Sequence, residues 1–179
     1  MIFLTVGSDI PFSRLTGQFD QFCKNNPDQE AFAQVGRLRS GDHQPAEVKW
    51  VELLSSSDFS EMVERSTLIV AHAGMGSILT ALSTRKPIVI LPRAEKLRET
   101  RSDHQFATAK RFEDQTGIFV AWTESELEEQ ISNALTFKAN QTMGEFSLYA
   151  PPAFTDRIRA FILGDPYPDE VNGNQASGS

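Results

Sequence analysis

The sequence is poor in residues that build metal centres, disulfide frameworks and nucleic-acid interfaces. Its one cysteine, Cys23, excludes an internal disulfide and points to a reducing compartment. Three histidines, His43, His72 and His104, show no ligand spacing and have no cysteine cluster to join, so no metal site is expected. Basic residues are in deficit, with 17 Lys and Arg against 24 Asp and Glu and a net charge of −7. A nucleic-acid binder would carry the opposite surplus, although a local anion site remains compatible with this balance. No apolar run approaches the roughly 20 residues that span a bilayer. Met1 to Val6 is apolar, but it is too short and lacks the basic flank of a secretion signal. Walker A and G-x-S-x-G motifs are absent. So is G-x-G-x-x-G, because Gly74-Met75-Gly76 runs on into Ser77, Ile78 and Leu79.

What is present is an alternation of short apolar runs and amphipathic stretches. Ile2 to Val6, Ala31 to Val35, Val48 to Leu53, Leu68 to Ala71, Ile88 to Leu91 and Gly117 to Ala121 read as strands. The first, fourth and fifth are apolar on both faces, the mark of strands inside a covered parallel sheet. Helices are expected over Pro11–Asn25, with Phe12, Leu15, Phe19 and Phe22 on one face, and from Ser57-Asp58 to Arg65, with Glu61 closing a capping box. Others are expected from Ser77, over Asp103–Asp114, and over Glu124–Leu135, where Thr123 and Glu126 form a second box. Residues 137–152 read as irregular, and Ala153–Leu163 as a last helix. The pattern gives an α/β fold: a Rossmann-like parallel sheet with helices on both faces, in one domain over residues 1–163. Residues 164–179, rich in Pro, Asp, Asn, Gly and Ser, form an expected disordered tail.

Ligands of such folds bind beyond the carboxyl ends of the strands. Three loops should meet there: Gly7-Ser8-Asp9, His72 to Ser77, and Pro92 to Gln105. The second is a strand–glycine turn–helix junction, which aims backbone N–H groups and a helix dipole at one spot suited to a phosphate. Gly74 and Gly76 would allow close approach, or would merely end a strand. His72 is a candidate general base or phosphate donor, or a structural hydrogen-bonder, and His43 reads as a surface residue. The loop holding Arg93, Lys96, Arg98 and Arg101 among Glu95, Glu99 and Asp103 reads as a mixed-sign solvated surface or a ligand cover. Asp103 fits a helix N-cap, and the Gln105 carboxamide could serve sugar hydroxyls as donor and acceptor.

Four segments together resemble one enzyme family. They are Phe3-Leu4-Thr5-Val6-Gly7-Ser8 with Pro11-Phe12-Ser13-Arg14-Leu15, then Ala71 to Leu79, Lys86 to Arg93, and Ser102-Asp103-His104-Gln105. The set is similar to the C-terminal domain of family 28 glycosyltransferases, over residues 1 to about 135. It is most like stand-alone versions such as the donor-binding subunit of the dolichol-linked N-acetylglucosamine transferase and bacterial exopolysaccharide transferase subunits.

The resemblance implies the C-terminal half of a GT-B fold that binds a UDP-sugar as donor substrate, with no metal and no further cofactor. It implies diphosphate contacts at Gly7, Ser8, Gly74, Met75, Gly76 and Ser77, donor-sugar contacts at Asp103 and Gln105, and a base near the loops between Val35 and Leu54. The family's ribose-binding Glu is replaced by Thr80. The acceptor site and general base would come from a membrane-anchored partner subunit, with a lipid-linked acceptor. Phe146 to Phe154 and the last helix are candidate docking surfaces. The chain would be cytoplasmic, peripheral at the membrane through that partner. Two other readings stay open: a non-catalytic nucleotide-sugar sensor or scaffold, and a doubly wound domain with another task, such as a phosphosugar isomerase or a regulatory module.

Overall fold

The computed structural model describes residues 1–7, 10–137 and 152–163. In chain order these form β1 (Ile2–Thr5), α1 (Ser13–Asn25), β2 (Ala31–Gln34), β3 (Lys49–Val51), α2 (Ser56–Arg65), β4 (Leu68–His72), α3 (Met75–Ser83), β5 (Ile88–Leu91), α4 (His104–Phe112), β6 (Ile118–Val120), α5 (Leu127–Thr136) and α6 (Pro152–Leu163). Single 3₁₀ turns lie at Glu95–Leu97 and Glu124–Glu126. The chain divides into two compact units, Met1–Glu145 and Phe146–Ser179. The expected single domain through residue 163 thus meets a division near residue 145, and the expected tail lies outside the described residues. Among the described residues no helix is long and apolar enough to cross a membrane.

All six strands are parallel, in the order β3-β2-β1-β4-β5-β6. Side chains alternate across each strand, so an all-apolar strand feeds two cores at once. Ile2, Leu4, Leu68, Val70, Val89 and Leu91 face one core, which α1 closes with Leu15, Phe19 and Phe22 and α5 closes with Leu127 and Ile131. Phe3, Ile69, Ala71, Ile88 and Ile90 face the other, closed by Val63 of α2, Ile78, Ala81 and Leu82 of α3, and Ala109 of α4. Helices therefore cover both faces, as the sequence implied. This is a Rossmann-like, doubly wound sheet. The order reverses beside β1, whose neighbours are β2 on one side and β4 on the other. Chains leaving β1 and β4 diverge to opposite faces, into α1 and α3, and open a crevice at the carboxyl ends of these strands.

Helix starts differ from the expected ones. α2 is capped by Ser55, two residues early: its Oγ accepts from Asp58 N at 3.1 Å and donates to Asp58 Oδ2 at 2.7 Å. Asp58 thus takes the place in the box assigned to Glu61, which instead lies 3.4 Å from Arg65 on the exposed face. At α5, Thr123 Oγ1 donates to Glu126 Oε1, and Glu126 Oε2 accepts from Trp122 N; these bonds close a 3₁₀ turn before the regular helix starts at Leu127.

His43 is more than a surface residue. The buried Asp20 carboxylate accepts from Ala46 N at 3.0 Å and Glu47 N at 2.8 Å, and lies 3.1 Å from His43 Nε2, which fastens the β2–β3 connection to α1. Cys23 is buried beside it. Burial, with Asp20 and Glu47 adding negative charge, pushes its thiol up to about 12, so it is an inert core residue.

Candidate functional site

The crevice at the β1/β4 reversal has two lobes that meet at Gly7 and His72. One lobe, about 480 Å³, is walled by Gln34, Leu54, Phe59 and Thr80 and reaches Gly76 and Ser77. The other, about 310 Å³, is walled by Ile10, Arg93, Glu99, His104 and Gln105. Both fall in the size range of small-ligand sites. A further cavity of about 480 Å³ lies at the opposite, amino-terminal end of the strands, between Met1, Cys23, Ala31 and Lys49. It has no part in the reversal point.

The waist is built by backbone. Gly74 N donates to His72 O at 2.8 Å, a tight turn that starts α3 at Met75, two residues before the expected Ser77. Gly74 has no side chain with which to cap, and the first helical bond runs from Ile78 N to Gly74 O. The N–H groups of Met75, Gly76 and Ser77 therefore have no carbonyl of their own helix and stand at its positive end. A Cβ built on Gly76 meets nothing within 4 Å, so the space over this terminus is open. Gly7, with φ +83°, is held by its N–H to Thr5 Oγ1 and by its carbonyl to Gln34 Nε2, both 3.2 Å. The expected contact Ser8 lies outside the described residues.

His72, the last residue of β4, is wedged between Gly7 and Gly74. A Cβ on Gly74 would sit 2.3 Å from its Nε2, and one on Gly7 3.1 Å from its Cε1. Its Nδ1 is buried with no hydrogen-bond partner; the Thr5 carbonyl favours the protonated ring without reaching bonding geometry to that nitrogen. Burial first, then the charge of Arg93, lowers the His72 pKa to about 4. The ring is neutral at pH 7 and can donate one hydrogen bond to an anion. As a base, with the crevice empty, it is no stronger than an ordinary carboxylate.

This depressed pKa has a consequence for stability. Between pH 6.5 and about 4 the unfolded chain binds a proton that the folded chain refuses, so stability from this group is complete above 6.5 and falls as the pH drops towards 4. The slope is at most about 1.4 kcal/mol per pH unit. The NMR titration of the His72 imidazole is expected to show a midpoint near 4, rising when a phosphate ligand is added. His72→Gln should remove this share of the acid sensitivity in denaturant melts at pH 7 and pH 5. A midpoint near 6.5 would contradict the buried placement.

The charged loop departs most from its reading as a solvated surface. Arg93 is buried, and its guanidinium donates to Val6 O (3.1 Å), Ile10 O (2.6 Å), Pro11 O (2.9 Å) and Glu99 O (3.3 Å). It lies 4.4 Å from the centre of the Phe12 ring. Glu99 is gripped bidentately by Arg14 at 2.8 and 2.9 Å and accepts from Ala94 N at 2.9 Å. Lys96, Arg98 and Arg101 are exposed as a surface loop requires. Gln105 does reach the second lobe; its Oε1 accepts from Arg93 N at 3.1 Å, which leaves its N–H₂ and one lone pair of that oxygen for a ligand. Asp103 occupies the N-cap position without a side-chain cap bond. Its Oδ1 accepts from Glu95 N at 2.8 Å, and it lines neither lobe. Thr80 lines the first lobe, one turn beyond Gly76, and its Oγ1 donates to Gly76 O at 2.8 Å.

The sequence profile of the glycosyltransferase family 28 C-terminal domain matches residues 1–148. The chain belongs to this family. No curated protein matches it significantly. Solved structures give the same fold at low identity. The glycotransferase of kitacinnamycin has a TM-score of 0.60 at 20% identity, over 77% of this chain and 35% of that one. MurG of Acinetobacter baumannii has 0.53 at 19%, over 75% and 41%. ALG13, solved by NMR, has 0.55 at 21%, over 88% and 93%. The chain thus spans about a third to two fifths of the first two and nearly all of the third. The family 28 match extends past the four motifs, which end near residue 105, and covers the whole sheet.

Two members of this site had little voice in the sequence. Gln34 stitches Thr5, Gly7 and Leu54 together through its carboxamide. A polar residue closing an otherwise apolar strand was the only hint of it. Arg93 directly follows the strand-ending Pro92, and burial of a charge there is a tertiary property that no spacing announces.

Proposed function

We propose that this family 28 chain is the donor-binding subunit of an inverting, UDP-sugar-dependent hexosyltransferase. The observation that carries the reading is the two-lobed crevice whose waist is an uncapped helix N-terminus. The waist suits a diphosphate, the lobe with Leu54 and Phe59 suits a nucleoside, and the polar lobe with His104 and Gln105 suits a hexose. Asp103 lines neither lobe, and its Oδ2 is the oxygen left for a sugar contact once Oδ1 has accepted from Glu95 N.

In this reading, an acceptor oxygen attacks the anomeric carbon from the face opposite the diphosphate. The carbon–oxygen bond to the β-phosphate breaks, and the diphosphate leaves with the electron pair. Negative charge growing on that oxygen is met by the N–H groups of Met75, Gly76 and Ser77 and by the His72 N–H, rather than by a metal ion. The acceptor's proton needs a base within hydrogen-bond reach. In this reading the His72 ring is turned to the diphosphate, and Glu99 is already held by Arg14.

The base and the acceptor site are therefore assigned to a membrane-anchored partner subunit, and the acceptor to a lipid-linked molecule. ALG13, similar to nearly its full length, is another chain of this size. Met75, Leu79 and Leu97 are exposed apolar residues of the first unit, and Phe161, Ile162 and Leu163 are exposed on α6 of the second; each group, taken by itself, suits a docking surface. Phe146 to Pro151 of the expected patch, and the side chains of residues 152–154, lie outside the described residues.

The test is sugar transfer from radiolabelled UDP-sugar into solvent-extractable lipid. Transfer is expected only when the chain is combined with membranes that contain the partner. Transfer by the purified chain alone would contradict the partner requirement.

A further inference from the structure

We infer that Glu99 is a positioning residue for the hexose lobe: gripped by Arg14, it holds the loop after β5 in the shape that makes the lobe's wall. The inference rests on the nucleotide-sugar reading above and deepens it. The loop runs from Pro92 to the start of α4 and brings Arg93, Glu99, Thr100, His104 and Gln105 to that lobe. No residue between 92 and 105 lines the nucleoside lobe, whose walls come from β1, β2, β4, α2, α3 and the residues beside them. A change confined to this loop therefore acts on the hexose end of a ligand and spares the nucleotide end.

Glu99 is the hub of residues 94–99. Its Oε2 accepts from Ala94 N at 2.9 Å, its own N–H donates to Ala94 O at 3.3 Å, and its carbonyl accepts from Arg93 Nη1 at 3.3 Å. These bonds close a turn over the 3₁₀ segment Glu95–Leu97, with Arg98 in the left-handed region at φ +58°. A residue with a Cβ disfavours that conformation, so the turn needs a fastening. The fastening comes from another element. Arg14 of α1 donates to both Glu99 oxygens, at 2.9 and 2.8 Å, and to Pro92 O at 2.9 Å, where the loop departs. The Arg14 and Glu99 side chains are only 13% and 14% exposed, so this forked, charge-assisted pair is little screened by solvent. Lys96, Arg98 and Arg101 stand exposed in the same loop and, as trypsin sites, report its opening.

The test is calorimetric titration of the full chain with UDP, UDP-glucose, UDP-galactose and UDP-N-acetylglucosamine, on the wild type, Glu99→Gln, Arg14→Gln and the double variant. Loss of a charge acts through the field on every diphosphate, so the readout is UDP-hexose affinity relative to UDP. Each single variant is expected to weaken the best-bound UDP-hexose at least fivefold against UDP and to keep UDP within threefold of wild type. Each should also be cut by trypsin in this loop at least tenfold faster. The double variant should lose no more than the worse single, because both act on one contact. If Glu99→Gln fails to fold, Arg14→Lys, which keeps the charge without the fork, is expected to show the same split in smaller measure. An equal loss for UDP and UDP-hexose overturns the inference and leaves a merely structural pair, and an unchanged ratio overturns it too. So does a loss without faster cleavage, or one in Glu99→Gln that Arg14→Gln does not share, since Glu99 would then touch the sugar itself. A wild type that binds UDP but none of the UDP-hexoses overturns the hexose assignment and this inference with it. Binding of none of the four ligands overturns the nucleotide reading as well.

Discussion

Arg93→Ala is expected to destabilise the protein by about 3–5 kcal/mol, lowering its melting temperature by about 10 °C. The guanidinium bonds carbonyls from three segments that meet at the crevice: the exit of β1 at Val6, the approach to α1 at Ile10 and Pro11, and the β5–α4 loop at Glu99. Truncation leaves these acceptors without their donor, and each buried unpaired group costs about 1–3 kcal/mol. It also removes the cation from the face of Phe12, a core residue. Arg93→Lys should recover only part of the loss. A single ammonium cannot reproduce the planar fork that serves several carbonyls at once. Chemical denaturation of both variants measures this. A loss below about 1 kcal/mol in Arg93→Ala would show that the loops stand without the clamp.

The second large effect is on binding rather than stability. Gly76→Val should leave the fold intact, since a Cβ there meets nothing within 4 Å, yet reduce UDP affinity at least a hundredfold. The branched side chain would occupy the space over the N–H groups of Met75, Gly76 and Ser77, where the diphosphate is proposed to lie. Gly74 gives the contrast. A methyl at Gly74 would fall 2.3 Å from the His72 ring, which is itself confined by Gly7, so Gly74→Ala should lose stability and binding together. Equal behaviour of the two variants would mean that Gly76 borders packed protein and that the crevice is wrongly drawn.

The fold was largely legible because its strands carry a double signal. Leu68 to Ala71 and Ile88 to Leu91 are apolar at every position, and a strand with that pattern has one stable home, the middle of a covered parallel sheet. The glycine junction at Gly74 was legible for a similar reason, because a turn of that tightness leaves few residue choices. Helix starts were less so. Ser55 and Ser57 are the same residue type, and only the backbone decides which of them caps α2. The site's polar members were hardest to read. Arg93 and Glu99 belong to a loop whose composition is that of a solvated surface, yet one is buried and the other paired, through partners that lie more than 80 residues away at Val6, Ile10, Pro11 and Arg14. Asp103 shows the reverse case. Its motif marks it for a sugar, whereas one of its carboxylate oxygens holds Glu95 N and the residue lines neither lobe.

The central claim is that a diphosphate sits on the uncapped N-terminus of α3. The most direct measurement is an NMR titration of the isotope-labelled chain with UDP, following backbone amides. The account predicts saturable shifts at Met75, Gly76 and Ser77, with Gly7 and the His72 ring moving alongside them. Saturable shifts confined elsewhere, for example to Cys23, Ala31 and Lys49 at the other end of the strands, would contradict it.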